Sequence, residues 1–178
     1  MTTYIAFLRG VNVGGNQLKM DRLRAICESL GYENSRTYVQ SGNVVFDAKG
    51  SQSNAEKALM HKLAGETRLP VRVLVRSGAD LKRLIAKNQF LKNQAVDRSR
   101  LHVTFLAQAP TPESLKRLST LDAGPDEFRA AGTEIYLHCP TGYGRSKLSN
   151  NNLERLLSVT ATTRNWNTVN TLAEMAFA

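Results

Sequence analysis

The order in which strand and helix patterns alternate constrains this chain more than any other feature. Residues 3–9 form a continuous apolar run typical of a central strand, and an i, i+3, i+4, i+7 apolar stripe beginning at Leu23 predicts a helix. Residues 35–40 and 44–46 predict a hairpin, and a second helix leads to a strand at 71–75. Strand, helix, strand, strand, helix, strand is the order of the split βαβ, or ferredoxin-like, unit.

The same order repeats after residue 100. The predicted elements are a strand at 101–106, a helix beginning at Pro112, short strands at 127–130 and 134–138, a helix at 147–158 and a short strand at 161–164. We therefore predict an α+β fold of two tandem ferredoxin-like halves with additional helices. The first half is 1–88, a linker without periodicity is 89–99, and the second half is 100–178, with both halves packed as one compact unit.

Polar residues before the apolar stripes predict the helix starts. We expect Ser53 or Asn54 to cap the second helix, Ser77 to cap an additional third helix, and Asn165 or Asn167 to cap the last one. These caps fix where each helix begins and therefore which face it buries.

Composition limits the classes of protein to consider. The chain has 178 residues, a formal charge of +9 and 42% apolar residues, which suits a globular protein with anionic partners. No run of about 18 apolar residues predicts a membrane span, and no signal peptide is evident. Cys27 and Cys139 form no paired motif, so we expect free thiols and a cytoplasmic location.

The stretch from Phe7 to Lys19 is the strongest candidate for one wall of a binding site. It runs from a strand through a turn with three glycines into a helix start, where backbone amides and the helix dipole favour anions. Arg9 and Lys19 bracket this turn. The spacing resembles a P-loop, but Asn16 and Gln17 stand where its lysine and hydroxyl belong, which argues against a triphosphatase. Alternatively, the turn is a tight connection whose asparagines bond their own backbone.

Three further polar stretches are candidates for the same site. The stretch 40–43 is a Gln-Ser-Gly-Asn turn, 141–152 carries two glycines and two cations before a helix, and 162–168 holds the only tryptophan beside an arginine. Each also has a structural interpretation, as a turn, a helix cap or a tryptophan that anchors the last helix.

We predict that these stretches join to bind a phosphate- or carboxylate-bearing small ligand, such as a nucleotide. The predicted ligand-binding residues are Arg9, Asn12, Asn16, Lys19, Gln40, Ser41, Asn43, Tyr143, Arg145, Ser146, Lys147, Arg164, Asn165 and Trp166. Two alternatives stay open. One is sequence-independent nucleic-acid binding with Trp166 or Tyr143 stacking on bases, and the other is a structural seam in a protein that acts through protein partners.

Residues for catalysis or metal binding do not stand out. The histidines His61, His102 and His138 do not supply a ligand set, and a nucleophile at Cys139 has no identifiable base. We therefore predict no metal and no cofactor, assign no catalytic residue, and leave open whether a reaction follows binding. The oligomeric state is also left open.

Four motifs together resemble one known family. They are Leu8-Arg9-Gly10-Val11-Asn12-Val13-Gly14-Gly15, Tyr38-Val39-Gln40-Ser41-Gly42-Asn43-Val44-Val45-Phe46, Gly142-Tyr143-Gly144-Arg145-Ser146-Lys147-Leu148 and Ala161-Thr162-Thr163-Arg164-Asn165-Trp166-Asn167-Thr168-Val169. In this combination the chain resembles the mostly bacterial family catalogued as domain of unknown function 1697, over nearly its whole length. The resemblance implies a compact α+β protein and no established activity. Residues 89–92 depart from the family's proline-rich connection, which affects the predicted linker.

Overall fold

The computed structural model describes residues 1–178 as an α+β protein with two four-stranded antiparallel sheets and six α-helices. The elements up to residue 86 are β1 (Thr2–Arg9), α1 (Met20–Ser29), β2 (Glu33–Thr37), β3 (Asn43–Ala48), α2 (Gln52–Thr67), β4 (Arg72–Ser77) and α3 (Gly78–Ala86). The later elements are β5 (Leu101–Leu106), α4 (Pro112–Ser119), β6 (Glu127–Ala131), β7 (Glu134–His138), α5 (Asn150–Leu157), β8 (Ala161–Asn165) and α6 (Trp166–Phe177). The predicted α+β class is confirmed.

The two sheets have equivalent strand orders. The first is β2-β3-β1-β4 and the second is β6-β7-β5-β8, and all neighbouring strands are antiparallel. In each sheet the first strand of its half lies inside, between the third and fourth strands. This confirms the central position predicted for β1 from its uninterrupted apolar run.

The first sheet carries buried side chains on both faces because β1 is apolar at consecutive positions. Ala6 and Leu8 belong to a core that α1 and α2 cover, together with Leu23 of α1 and Leu59 of α2. Phe7 points to the opposite face, as expected for its neighbour in a strand, and is also fully buried. The β1 backbone, and therefore the turn that follows it, is held by packing on both sides.

The second sheet has a comparable core under α4 and α5. Leu106 and Leu137 of the sheet belong to one cluster with Leu118 of α4 and Leu153 and Leu157 of α5. All three helical leucines are buried. The strands and helices therefore fix both ends of the loop between β7 and α5.

The chain divides into two compact units that are not contiguous in sequence. Unit 1 contains residues 1–83 and 171–178, and unit 2 contains residues 84–170. The chain passes between the units within α3 and again within α6. The stretch 89–99, predicted as a linker, belongs to unit 2, and short 3-10 helices lie at Gln89–Lys92 and Arg98–Arg100.

The structure corrects several element boundaries. The second strand was expected at 35–40, but it ends at Thr37 because Val39 has a φ of 52°, which a strand cannot accommodate. Ser51, rather than Ser53 or Asn54, caps α2. The helix expected at 147–158 begins at Asn150 behind a Ser149 cap.

Two predicted caps are confirmed. Ser77 Oγ accepts a hydrogen bond from the Asp80 amide at 3.1 Å at the start of α3. Asn165 Oδ1 accepts one from the Thr168 amide at 2.8 Å at the start of α6. None of the six helices combines the length and apolar character that crossing a lipid bilayer would require.

Candidate functional site

The side chain of Asn12 holds together the turn between β1 and α1. Asn12 has a φ of 56°, and its Oδ1 accepts a hydrogen bond from the Leu18 amide at 2.9 Å. Its Nδ2 donates to the Leu18 carbonyl at 3.2 Å and to the Gln40 carbonyl. One amide side chain therefore closes this turn and also ties it to the turn between β2 and β3.

The two turns of unit 1 also meet through a close approach at Gly42. The Leu8 amide donates to the Gly42 carbonyl at 2.8 Å. A Cβ at Gly42 would lie 2.5 Å from Val11 Cγ2 and 2.9 Å from Leu8 Cβ, and the φ of +88° also favours glycine. The second turn is therefore fixed against the end of β1.

A groove of about 560 Å³ opens between these two turns and the start of α1. Its lining residues are Asn12, Gly15, Gln17, Leu18, Lys19, Met20, Asp21 and Gln40. The volume falls in the range of small-ligand sites. The N-cap residue of α1 is Lys19, whose side chain makes no capping hydrogen bond. No side chain at this cap therefore takes up the amides of the first turn, and an anion is the partner that their dipoles favour.

The charges around the groove have opposite signs and different environments. Lys19 is exposed at its edge. Asp21, in the first turn of α1, pairs with Arg24 one turn along the helix, and its side chain is 87% exposed. Water and the arginine both screen this carboxylate, so Lys19 is the charge without an internal partner.

Four predicted residues of unit 1 lie outside the groove lining. Arg9 stands opposite Arg72 on β4, and Asn16 donates to the Gly10 carbonyl at 3.3 Å. Asn43 is fully buried and donates from Nδ2 to the Tyr38 carbonyl at 2.9 Å and to Ser41 Oγ at 3.1 Å. Asn16, Ser41 and Asn43 shape the two turns from within. The groove is lined instead by Asn12, Lys19 and Gln40.

The loop between β7 and α5 in unit 2 is built around Tyr143 and Ser146. The Tyr143 ring stacks on His102 with 4.6 Å between centroids, and its hydroxyl accepts a hydrogen bond from the Asn150 amide at 2.8 Å. Ser146 Oγ accepts from the Leu148 amide at 3.0 Å and from Cys139 Sγ at 3.6 Å. Both predicted residues therefore make internal contacts that shape the loop.

Asn150 connects this loop to β8. Its Nδ2 donates to the Ala161 carbonyl at 2.9 Å, and its Oδ1 accepts from Thr163 Oγ1 at 3.0 Å. Thr163 is in turn hydrogen-bonded to Thr104 on β5 at 2.8 Å. The structure thus brings the third and fourth predicted stretches together within unit 2.

The remaining predicted residues of unit 2 differ in exposure. Arg145 and Lys147 are exposed on the loop. Arg164 is buried, which lowers the pKa of its guanidinium to about 10, and it donates to Thr162 Oγ1 at 2.6 Å. Asn165 is used as a helix cap, and Trp166 is only 5% exposed. Among the predicted site residues of unit 2, the cations exposed on the surface are therefore Arg145 and Lys147.

Burial favours the neutral forms of three side chains in or beside this loop. Burial lowers the pKa of His102 and raises the pKa values of Cys139 and Tyr143. A thiol that stays neutral lacks the ion-pair activation that a cysteine nucleophile needs. No group of three or more His, Cys, Asp or Glu side chains is arranged to share a metal ion.

Five residues of the groove were not among the predicted ligand-binding residues, namely Gly15, Gln17, Leu18, Met20 and Asp21. Gln17, Met20 and Asp21 line it because the turn places them at the start of α1. One feature of the sequence could have indicated them. Residues at a helix start that follows a glycine-rich turn lie beside the backbone amides that favour an anion. Their side chains are ordinary helix-start residues, so residue type alone did not distinguish them.

The fold and groove define the class as a two-sheet α+β protein with a polar groove at a helix start. Residues 1–136 match the model of the family described as "Protein of unknown function (DUF1697)", and the chain belongs to this family. The resemblance drawn from the four motifs is thereby confirmed at the level of the family. The matched range includes the first two motifs and ends before the other two.

A solved structure has the same fold over nearly the whole chain. The conserved bacterial protein SP0830 from Streptococcus pneumoniae superposes with a TM-score of 0.78, covering 98% of both chains at 20% sequence identity. At this identity the similarity shows the fold alone. Among proteins with curated functions, none matches the sequence.

Proposed function

We propose that this protein binds a phosphate- or carboxylate-bearing small ligand, such as a nucleotide, in the groove of unit 1. The observation that carries the proposal is the groove of about 560 Å³ at the start of α1, where the N-cap side chain makes no capping hydrogen bond. Unpaired helix-start amides and an adjacent cation are a recurrent combination at anion sites in proteins.

The contacts support distinct roles for the lining residues. Lys19 would supply the charge, while Gln17 and Gln40 are exposed amides that can orient polar groups of the ligand. Asn12 would position the walls, since both of its polar atoms already bond the backbone. Asp21 would disfavour highly charged ligands, which fits a ligand with one compact anionic group.

The predicted residues of unit 2 support a structural role more strongly than a binding role. Arg164 and Trp166 are buried, Asn165 caps α6, and Ser146 bonds within its loop. We therefore propose that these side chains stabilise unit 2. The nucleic-acid alternative relied on Trp166 or Tyr143 as a stacking surface. Trp166 is buried, and Tyr143 already stacks on His102, so that alternative has weaker support.

We also propose that each half is a ferredoxin-like unit. Each sheet has the strand order 2-3-1-4 within its half, with one helix after the first strand and another after the third. That order and connectivity support a split βαβ arrangement. The two free, buried thiols, Cys27 and Cys139, support a location in a reducing compartment such as the cytoplasm.

The test is thermal stability against a panel of anions. We would measure the unfolding midpoint with inorganic phosphate, mononucleotides, short RNA and short DNA at two salt concentrations. A ligand at a hundred times its dissociation constant adds about 2.7 kcal/mol, which raises the midpoint by roughly 5–10 °C in a chain of this size. A hit with one small anion and a shallow salt dependence is the expected result.

A pair of lysine variants assigns the hit to the groove. Lys19→Gln removes the groove charge, and a lost charged hydrogen bond should weaken affinity by about tenfold or more. Lys57→Gln makes the same change on the exposed side of α2 and should leave affinity within about twofold, because it lies outside the groove. Equal ligand affinities in the two variants would show that the ligand does not bind in the groove. A hit only with polymers, falling steeply with salt, would favour nucleic-acid binding.

A further inference from the structure

A second cavity lies in unit 2, where the segment after α3 packs on the face of β6 and β7. Tyr136 on β7 donates from its hydroxyl to the Leu84 carbonyl at 2.7 Å. The Phe90 ring lies between His138, 5.6 Å away between centroids, and the Arg129 guanidinium, 5.2 Å from the ring centre. These contacts hold residues 84–92 over the sheet as one wall of the cavity.

The cavity has a volume of about 710 Å³ and a mixed lining. Its lining residues are Ile85, Ala86, Lys87, Asn88, Gln89, Leu91, Lys92, Arg129, Ala130, Ala131 and Tyr136. They include three cations and no carboxylate, and the others are mainly apolar or aromatic. Ligand sites of this size usually combine an apolar lining with a few polar groups that fix orientation.

Asn88 is the polar residue that points most directly to a ligand. It is only 4% exposed, and its Oδ1 accepts a hydrogen bond from the Phe90 amide at 3.1 Å. This bond fixes the orientation of the amide, so that Nδ2 is the atom left for another partner. Nδ2 is buried and has no hydrogen-bond partner within the protein. Buried donors are nearly always paired, so an acceptor is expected beside this one.

The charges of the lining indicate whether the expected hydrogen-bond acceptor on the ligand is neutral or negatively charged. Lys87 and Lys92 are exposed, and neither forms a salt bridge with an acidic side chain. Arg129 donates to the Phe128 carbonyl at 2.9 Å and lies 3.3 Å from Glu127, so its charge is only partly offset. A cavity with three cations, one screened, and an unused amide donor favours an anionic oxygen over a cation or a neutral group.

We propose that this cavity is a second binding site, for a small anion with an apolar body. The phosphate or carboxylate oxygens would accept from Asn88 Nδ2 and from Lys87 and Lys92. The apolar body would lie against Leu91 and the Tyr136 ring, where it loses contact with water. This site is separate from the groove of unit 1 and shares none of its residues.

The probes for the test separate charge from shape. We would titrate the isotope-labelled full-length chain with phenyl phosphate, benzoate, inorganic phosphate and neutral benzamide, following the side-chain amide signals of Asn88 by NMR. Phenyl phosphate or benzoate should shift these signals with a dissociation constant at least tenfold lower than that of inorganic phosphate or benzamide. Whichever of the two binds more tightly identifies the anionic group. The signals of Asn12 and Gln40 report the other groove in the same spectra.

Variants then test the lining. Asn88→Asp keeps an acceptor for the Phe90 amide but places a negative charge where the anion would bind. Its affinity, followed through the backbone amide signals of residues 87–92, should fall more than tenfold. The exposed double change Lys87→Gln with Lys92→Gln should weaken binding about tenfold without affecting folding. Lys116→Gln, an exposed lysine on α4 of the same unit, is the matched control and should leave affinity within twofold.

Two results would overturn the proposal. One is a folded protein in which no probe moves the Asn88 signals at 10 mM. The other is binding that the double lysine variant retains at full strength, which would place the probe elsewhere. Should Asn88→Asp fail to fold, the double lysine variant alone decides. Because the Asn12 and Gln40 signals are followed separately, failure here leaves the groove of unit 1 untouched.

Discussion

Gly42 is the residue on which the geometry of the unit 1 groove depends most. Its carbonyl accepts from the Leu8 amide at 2.8 Å, and its missing side chain leaves room for Val11. Two requirements therefore apply at one position, a positive φ and an absent Cβ. They can be separated by comparison with Gly50, whose φ of +90° is nearly the same but where a Cβ would meet only Asn54, at 3.8 Å.

We expect Gly42→Ala to destabilise the protein by about 2–4 kcal/mol, combining backbone strain with overpacking against Val11 and Leu8. Gly50→Ala carries only the strain and should cost about 1–2 kcal/mol. Urea denaturation of both variants measures the difference between them. A loss of the same size in both would mean that close packing at Gly42 contributes nothing.

Cys27 gives a stability prediction that depends on pH. Burial raises the pKa of its thiol from 9.0 to about 12. The unfolded chain therefore loses this proton at lower pH than the folded one, so stability is intact below pH 9 and falls as pH rises from about 9 towards 12. The fall approaches about 1.4 kcal/mol per pH unit for one group, or roughly 2 kcal/mol by pH 10.5.

The difference between the wild type and Cys27→Ala isolates this contribution. The variant should be less stable at pH 7 because it leaves a small cavity, but the gap should narrow between pH 9 and pH 10.5. Urea midpoints measured at half-unit steps test this. Tyr136, whose pKa is also raised to about 12, contributes equally to both proteins and cancels. Parallel pH profiles would contradict the assignment.

Residue types showed where polar stretches occur, but not what each side chain binds. Asn12 and Asn43 were predicted to bind a ligand, and the structure shows their amides bonded to backbone groups. Both uses need the same donors and acceptors, so sequence alone does not separate them. The burial of Arg164 was equally hidden, because it depends on which face of β8 is covered and not on the residues beside it.

At the scale of elements, α5 is tied to β8 through one side chain. Asn150 at the first position of α5 bonds both the Ala161 carbonyl and Thr163 Oγ1. Asn152, two residues along the same helix, makes a single exposed bond, to the Lys147 carbonyl at 2.8 Å. The two asparagines therefore offer a matched comparison of a bond between elements with a local one.

We expect Asn150→Ala to cost about 2–3 kcal/mol, since it leaves the Ala161 carbonyl and the Thr163 hydroxyl without this partner. Asn152→Ala should cost less than about 1 kcal/mol, because water replaces an exposed bond. Thermal unfolding gives both values, and hydrogen exchange at β8 should increase only in the first variant. Similar losses of stability in both variants would show that the bonds from Asn150 to β8 contribute no more than a local surface hydrogen bond.

The elements themselves were largely predictable, and the errors have local causes. Apolar periodicity located the strands and the helix faces because burial imposes it directly. The predicted helix start was wrong where several possible cap residues lie close together, as at Ser51, Ser53 and Asn54, because each can bond a helix-start amide. The predicted end of β2 was wrong because Val39 adopts a left-handed conformation that β-branched residues rarely take.

At the scale of the whole molecule, the repeat of element order was visible in the sequence, but the path of the chain end was not. Residues 171–178 belong to unit 1 although they follow unit 2. A Cβ at Gly78 would lie 3.1 Å from Ala176 Cβ, and the Lys82 amine lies 5.2 Å from the centre of the Phe177 ring. Periodicity reports which face of a helix is buried and carries no information on which neighbour buries it.

This arrangement predicts that the chain end stabilises unit 1 in particular. Leu172 is fully buried, so Leu172→Ala should cost about 2–5 kcal/mol through lost burial and a residual cavity. Phe177 is 60% exposed, so Phe177→Ala should cost less than about 1 kcal/mol. Hydrogen exchange read strand by strand should show Leu172→Ala lowering protection in β1 and β4 before β5 and β7. Protection lost first in β5 and β7 would instead mean that residues 171–178 contribute their stability to unit 2.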